Sequence, residues 1–211
     1  MKKAIEGMAS CSDNARKLAR DARIMYGRHR YSTALALSII SLEEIGKVWL
    51  LNVVCHAQRL QEDVDWGAFW KSWRSHDMKG GMASIIDLGL YGADAADLAK
   101  RSIILGDLAQ LREQSLYVDY SSQQWHHPKE VPREWVLEIL EAAESLSEAV
   151  WRECNPRRAH VLLREIQHGE INLSPKTNPF LANFLEGLQE LEDITRSLNL
   201  EILGVTRHYA A

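Results

Sequence analysis

The stretch Trp73-Arg74-Ser-His76-Asp-Met-Lys79, followed by Gly80-Gly81, is the densest set of chemically useful side chains in the sequence. It brings two cations and an imidazole to the end of a short aromatic segment. Histidine is the side chain whose ordinary pKa lies nearest neutrality, which suits proton transfer. A neighbouring Arg or Lys stabilises charge that develops on a phosphate. Together these groups have the chemistry to cleave RNA without a metal. In that chemistry His76 would take the proton from a ribose 2′-hydroxyl while Arg74 and Lys79 would hold the phosphate. The same cations also fit a purely structural role, complementing the dipole at a helix C-terminus.

Glu44 and Lys47 stand out for a different reason. Tyr31, Leu35, Ser38, Leu42, Ile45 and Trp49 form an apolar stripe at helical spacing, and Leu37, Ile40, Val48 and Leu51 lie on the opposite side. A helix apolar on two sides is packed on two sides, and Glu44 sits in the middle of the second face with Lys47 beside it. Lys47 then either pairs with Glu44 or Glu43 to fix helix register, or the two orient groups in a site between helices. Further along, Leu116-Tyr117-Val118-Asp119-Tyr120 alternates polar and apolar residues. Tyr117 and Tyr120 suit stacking on bases and Arg112 suits a phosphate, while a Tyr and Asp at such a junction, here Tyr117 and Asp119, more often tie down a loop by hydrogen bonds. Arg16, Arg20 and Arg23, spaced four and then three, form a basic stripe able to steer RNA.

Other chemistries lack their residues. Trp125-His126-His127-Pro128 has no partner ligand at helical spacing, and His160, Glu165 and His168 make no zinc motif, so no metal is expected. There is no P-loop, no G-x-G-x-x-G and no G-x-S-x-G, and no cofactor is expected.

The elements that must carry these residues are helices. All five prolines fall after residue 127, and the chain before them is rich in Ala, Leu, Arg and Lys. The expected helices run from 2 to 26 or 27, from 31 to about 61, from 66 to 76 with Asp65 as N-cap, and from 82 to about 116. Val118–Val131 is expected as a polar loop, followed by helices at roughly 132–154, 156–169 and 178–199. At 211 residues, 46% apolar and 26% charged, the chain is long enough to bury a core and is not of disordered composition. The net charge of −4 is uneven, with eight Lys or Arg against three acids in the first thirty residues. Three distant cysteines exclude a disulfide framework and a Cys-x-x-Cys metal site. No apolar run is long enough for a membrane span and the first residues lack an apolar leader core, so a cytoplasmic protein with no membrane partner is expected.

Three of these segments carry a family resemblance. Tyr31-Ser-Thr-Ala-Leu-Ala-Leu-Ser-Ile-Ile-Ser-Leu-Glu43-Glu44-Ile-Gly46-Lys47 resembles the signature of the AbiV family of abortive-infection proteins. Trp73 to Lys79 resembles a second family segment, with His followed three residues later by Lys, and Leu116 to Tyr120 a third. The family is placed in the HEPN superfamily of small helical domains, many of them dimeric, metal-independent RNases. The resemblance implies an all-α, HEPN-like antiparallel helical bundle with additional C-terminal helices. It is a single domain, 1–211, with a core over 1–120 and a loop and accessory helices over 121–211. It also implies a homodimer acting against phage. The superfamily's spacing of Arg, four to six residues, then His occurs here only from Arg23 to His29. By match to the family's own segments, the resemblance implies His76, Lys79, Glu44 and Lys47 as the active-site candidates.

Two functions follow. One is a metal-independent endoribonuclease or toxin that halts growth of infected cells, with RNA as substrate, His76 as acid or base and Arg74 and Lys79 on the phosphate. The other is a non-catalytic helical protein that blocks a phage or host partner, such as the translation machinery, by binding. An accessible His76 favours the first, and a sealed, fully bonded one the second.

Overall fold

A computed structural model describes residues 2–59, 63–76, 78–81, 83, 108–117, 119–121, 124–126 and 131–161 of the chain. Its elements are α1 (Lys2–Gly27), α2 (Tyr31–Arg59), α3 (Trp66–Arg74), α4 (Leu108–Leu116), β1 (Asp119–Ser121), β2 (Gln124–His126) and α5 (Arg133–Cys154). The backbone is helical again over 156–161. The helix expected at 178–199, and most of that expected at 82–116, lie outside the described residues.

The fold is all-α around α2, which packs against α1, α3, α4 and α5. Its two-sided apolar pattern has this consequence: every residue from Ser41 to Leu50 except Lys47 is buried. α1 approaches α2 closely because its inner face is built from small residues, with Ala15, Ala19 and Ala22 buried at helical spacing. Ser41 Oγ reaches across and donates to the Ala15 carbonyl at 2.8 Å. α5 closes the third side of the core with Val136, Leu140, Ala143, Leu146 and Val150. Arg16 holds Glu148 through two hydrogen bonds of 2.6 and 3.1 Å, and Arg23 holds Glu144 in the same two-pronged way. The earlier arginine pairs with the later glutamate, so α1 and α5 run antiparallel. Partly exposed pairs of this kind are each worth only about 0–1 kcal/mol, so the apolar seam carries the packing and the pairs set its register.

Two expectations need correction. The helix beginning at Trp66 keeps its Asp65 N-cap, whose side chain accepts from Ala68 N–H at 2.9 Å, but it ends at Arg74 and not at His76. Ser75 turns the chain, and a new helical turn starts at His76. The segment expected as a polar loop contains an antiparallel ladder pairing Asp119 with His126, Tyr120 with Trp125 and Ser121 with Gln124. Strands of three residues are too short to produce a readable period, and no Asn-Gly or Asp-Gly marks their turn.

The α1–α2 turn is a Schellman closure. Arg30 N–H donates to Met25 O at 2.9 Å and His29 N–H to Tyr26 O at 3.0 Å, which places His29 at the left-handed position with φ of 58°. Glycine occupies that position at no steric cost. His29→Gly is therefore expected to raise the unfolding free energy by about 1 kcal/mol in urea, net of the exposed bond from Nδ1 to Tyr31 Oη. An unchanged midpoint would show that His29 carries no strain.

Burial pushes all three thiols up, Cys11 and Cys154 to about 12 and Cys55 to about 11, with the Glu44 carboxylate adding to the effect at Cys11. Unfolded thiols ionise near 9. The stability gained by keeping them neutral is complete below that value and is lost as the pH rises through 11 to 12. The expected outcome is no labelling by a thiol reagent in the folded protein at about pH 8, full labelling in urea, and a falling urea midpoint above about pH 9.

Candidate functional site

The site begins with a glycine. Gly46 on α2 lies against the backbone of Lys79, so closely that a Cβ there would stand 2.1 Å from the Lys79 carbonyl oxygen. No other residue type lets the 76–79 segment settle directly on α2. Ser75 prepares that approach. Its N–H closes α3 onto Lys71 O and Ser72 O, and its Oγ then accepts from Met78 N–H at 3.2 Å, capping the next turn. His76 is the first residue of that turn and Lys79 lies one turn on.

Glu43 stands one helical turn before Gly46 and receives the side chains this packing delivers. His76 Nδ1 is 2.7 Å from Glu43 Oε2, Lys79 Nζ is 3.4 Å from the same oxygen, and Arg112 Nη1 from α4 is 2.6 Å from Oε1. Arg112 Nη1 also lies 3.3 Å from His76 Nδ1. The side chains of Glu43, Lys79 and Arg112 retain 7%, 6% and 12% of their exposure, whereas His76 keeps 45%. Three chain segments thus meet at one buried carboxylate, and one titratable group among them opens to solvent.

The geometry settles which imidazole nitrogen is available. A carboxylate at 2.7 Å accepts the Nδ1 proton, which leaves Nε2 with a lone pair and no hydrogen-bond partner among the described residues. Lys79 and Arg112 bring two positive charges against the buried Glu43 and, at the exposed rim, Glu113, so the cluster is formally neutral and becomes cationic when His76 takes a proton.

The residues singled out from the sequence divide accordingly. His76 and Lys79 are in the cluster, together with Arg112, which the sequence marked for phosphate. Arg74 is exposed at the end of α3 and makes no ion pair among the described residues, so Arg112 and not Arg74 is the guanidinium beside the imidazole. Glu44 is not in the cluster. It pairs with Lys47 at 2.5 Å, and Lys47 Nζ lies 5.5 Å from the Trp73 ring, a structural pair behind the site. Consecutive helical residues point about 100° apart, so the carboxylate that meets His76, Lys79 and Arg112 is Glu43, facing α4. The signal for it in the sequence is Gly46, a gap in bulk one turn along the same face.

The basic stripe does not remain free either. Arg16 and Arg23 are committed to Glu148 and Glu144, and Arg16 also stacks 3.7 Å over Trp151. Arg20 is exposed without an ion pair among the described residues. Tyr117 stands exposed just past α4, and Asp119 lies in β1 in register with His126. Among the described residues, no three His, Cys, Asp or Glu side chains cluster as metal ligands, and no helix is long and apolar enough to cross a membrane.

A HEPN-type family model described as AbiV matches residues 3–148, which span α1 to most of α5 and include Glu43, His76, Lys79 and Arg112. No curated protein and no solved structure matches the chain.

Gly46→Ala separates helix propensity from site packing. Propensity alone predicts a gain of about 1 kcal/mol. The contact with Lys79 O predicts a net loss of about 1–3 kcal/mol, because backbone and not a flexible side chain must give way. A lower urea midpoint is the expected outcome, and a higher one would show that the 76–79 segment is not seated on α2.

Proposed function

The chain belongs to the AbiV family, whose general function is abortive infection by a HEPN-type domain, and on that premise we propose that it is a metal-independent endoribonuclease that halts the growth of infected cells. The observation that carries this reading is the half-exposed His76, fixed through Nδ1 by buried Glu43 and flanked at 3.3 Å by Arg112. An arginine and a histidine that are far apart in sequence are adjacent in space, as proton transfer beside a phosphate requires.

The mechanism follows from the free nitrogen. His76 Nε2 takes the proton from a ribose 2′-hydroxyl, and the 2′-oxygen attacks the adjacent phosphorus. The P–O5′ bond breaks, and the departing 5′-oxygen recovers a proton from the imidazolium or from water. The products are a 2′,3′-cyclic phosphate and a 5′-hydroxyl end. Arg112 stabilises the charge on the phosphate oxygens, and Lys79, buried beside Glu43, adds positive potential without leaving its partner. Glu43 is a positioning residue that selects the tautomer and stabilises the imidazolium once formed. Both Glu43 oxygens already accept from cationic or imidazole donors, which supports a reaction that does not require a divalent cation. A homodimer in the cytoplasm is part of this proposal.

The second reading, a non-catalytic protein that blocks a phage or host partner, rests on the same network seen as fold-specifying, and on Trp66 and Trp70 exposed on α3. One comparison separates them. Wild type and His76→Ala, shown to be equally folded, are assayed for phage protection in cells and for cleavage of total RNA in EDTA. The expected outcome is loss of protection and a fall in cleavage of about 10²–10⁴-fold. Protection that survives the substitution, with no cleavage by wild type, would establish the binding protein instead.

A further inference from the structure

Glu113 has no part in holding the site, yet it stands beside it. Its side chain is 63% exposed, and its Oε1 lies 3.7 Å from Arg112 Nη2, the guanidinium nitrogen not engaged with Glu43. Tyr117 follows one helical turn later on the same face, with its N–H donating to Glu113 O at 3.0 Å and its side chain 64% exposed. An acceptor carboxylate therefore lies against the guanidinium that also touches His76, and an exposed tyrosine follows that carboxylate four residues on.

A carboxylate in this position repels an incoming phosphate, so phosphate binding does not account for it. Base recognition does. A carboxylate offers two parallel acceptors and no donor. Guanine alone among the RNA bases presents two adjacent donors, N1–H and N2–H, on its Watson–Crick edge. Adenine and cytosine set one amino donor beside a ring-nitrogen acceptor, and uracil sets one N–H between two carbonyls, so each of the three meets the carboxylate with at least one repulsive contact. A tyrosine ring beside the carboxylate provides a stacking surface that any base can use.

We infer that Glu113 and Tyr117 form a guanine-selective base subsite next to the His76–Arg112 phosphate site, an inference that rests on the ribonuclease reading. Glu113 selects the base and Tyr117 holds it, so cleavage falls next to guanosines in single-stranded RNA.

The test uses the full chain as wild type, Glu113→Gln, Tyr117→Ala and Tyr117→Phe, each checked for equal folding. Binding of the four ribonucleoside 3′-monophosphates is measured by calorimetry, and the ends produced from a single-stranded RNA of mixed sequence are mapped. The guanosine nucleotide is expected to bind about tenfold more tightly than the other three. Glu113→Gln, which replaces one acceptor with a donor, removes that preference. Tyr117→Ala weakens all four nucleotides together, and Tyr117→Phe, which keeps the ring, restores most of the loss. Mapped ends cluster at guanosine in wild type and spread over the four bases in Glu113→Gln. Equal binding of the four nucleotides by wild type, or a guanosine preference that survives Glu113→Gln, overturns the subsite. Wild type that prefers the guanosine nucleotide but cuts no RNA overturns the nuclease reading and leaves the subsite standing as a nucleotide-binding site.

Discussion

A single buried carboxylate organises this protein's functional region. Glu43 is nearly sealed from water, and its two oxygens are shared by a guanidinium, an ammonium and an imidazole from two other chain segments. Without it, Lys79 and Arg112 would be cations buried against α2 with no counter-charge, a situation that costs about 3–5 kcal/mol when one partner of a buried pair is removed. With it, α4 and the turn after α3 are tied to the same point on the central helix. Gly46 makes that arrangement possible by letting the Lys79 backbone come within reach. Charge neutralisation and close packing are thus one requirement, met at two positions on one face.

The same cluster separates rigidity from chemistry by depth. Glu43, Lys79 and the inner edge of Arg112 are buried and serve to hold one another. His76 stands at the rim with one nitrogen anchored and the other without a partner among the described residues. A network that served the fold alone would need no half-exposed imidazole at its edge, and an imidazole without the network would be a mobile side chain with no fixed tautomer. The arrangement joins a positioned imidazole to a buried guanidinium, the pair on which the proposed cleavage rests.

Much of this was legible before any coordinates. The extents of α1 and α2 follow from helix-forming residues and the absence of proline, and the Asp65 cap from its residue type and place. His76, Lys79 and Arg112 were recognisable by their chemistry. The choice between Glu43 and Glu44 was not, because α2 is buried all around at that level and offers no polar face to orient a helical wheel. What distinguishes the two carboxylates is the partner each meets, and that depends on how α4 and the 76–79 turn dock. The superfamily spacing of arginine and histidine, present only from Arg23 to His29, does not point to the pair that meets beside Glu43. The two residues that meet, His76 and Arg112, are 36 positions apart and both also contact Glu43. The stripe of Arg16, Arg20 and Arg23 misled in the opposite direction, since the acids that claim two of them lie more than a hundred residues away.

Those distant acids also bear on the order in which the fold can close during synthesis. The contacts of Glu43 with His76 and Arg112 span 33 and 69 residues, whereas Arg16 waits for Glu148 across 132. A growing chain therefore holds every site residue before it holds α5. Until that helix emerges, the apolar flanks of α1 and α2 stay wet, and the scaffold under Glu43 lacks its third wall. The order of synthesis thus runs from the cluster to its support: the side chains that meet at Glu43 are all in the chain before the last wall of the core they stand on.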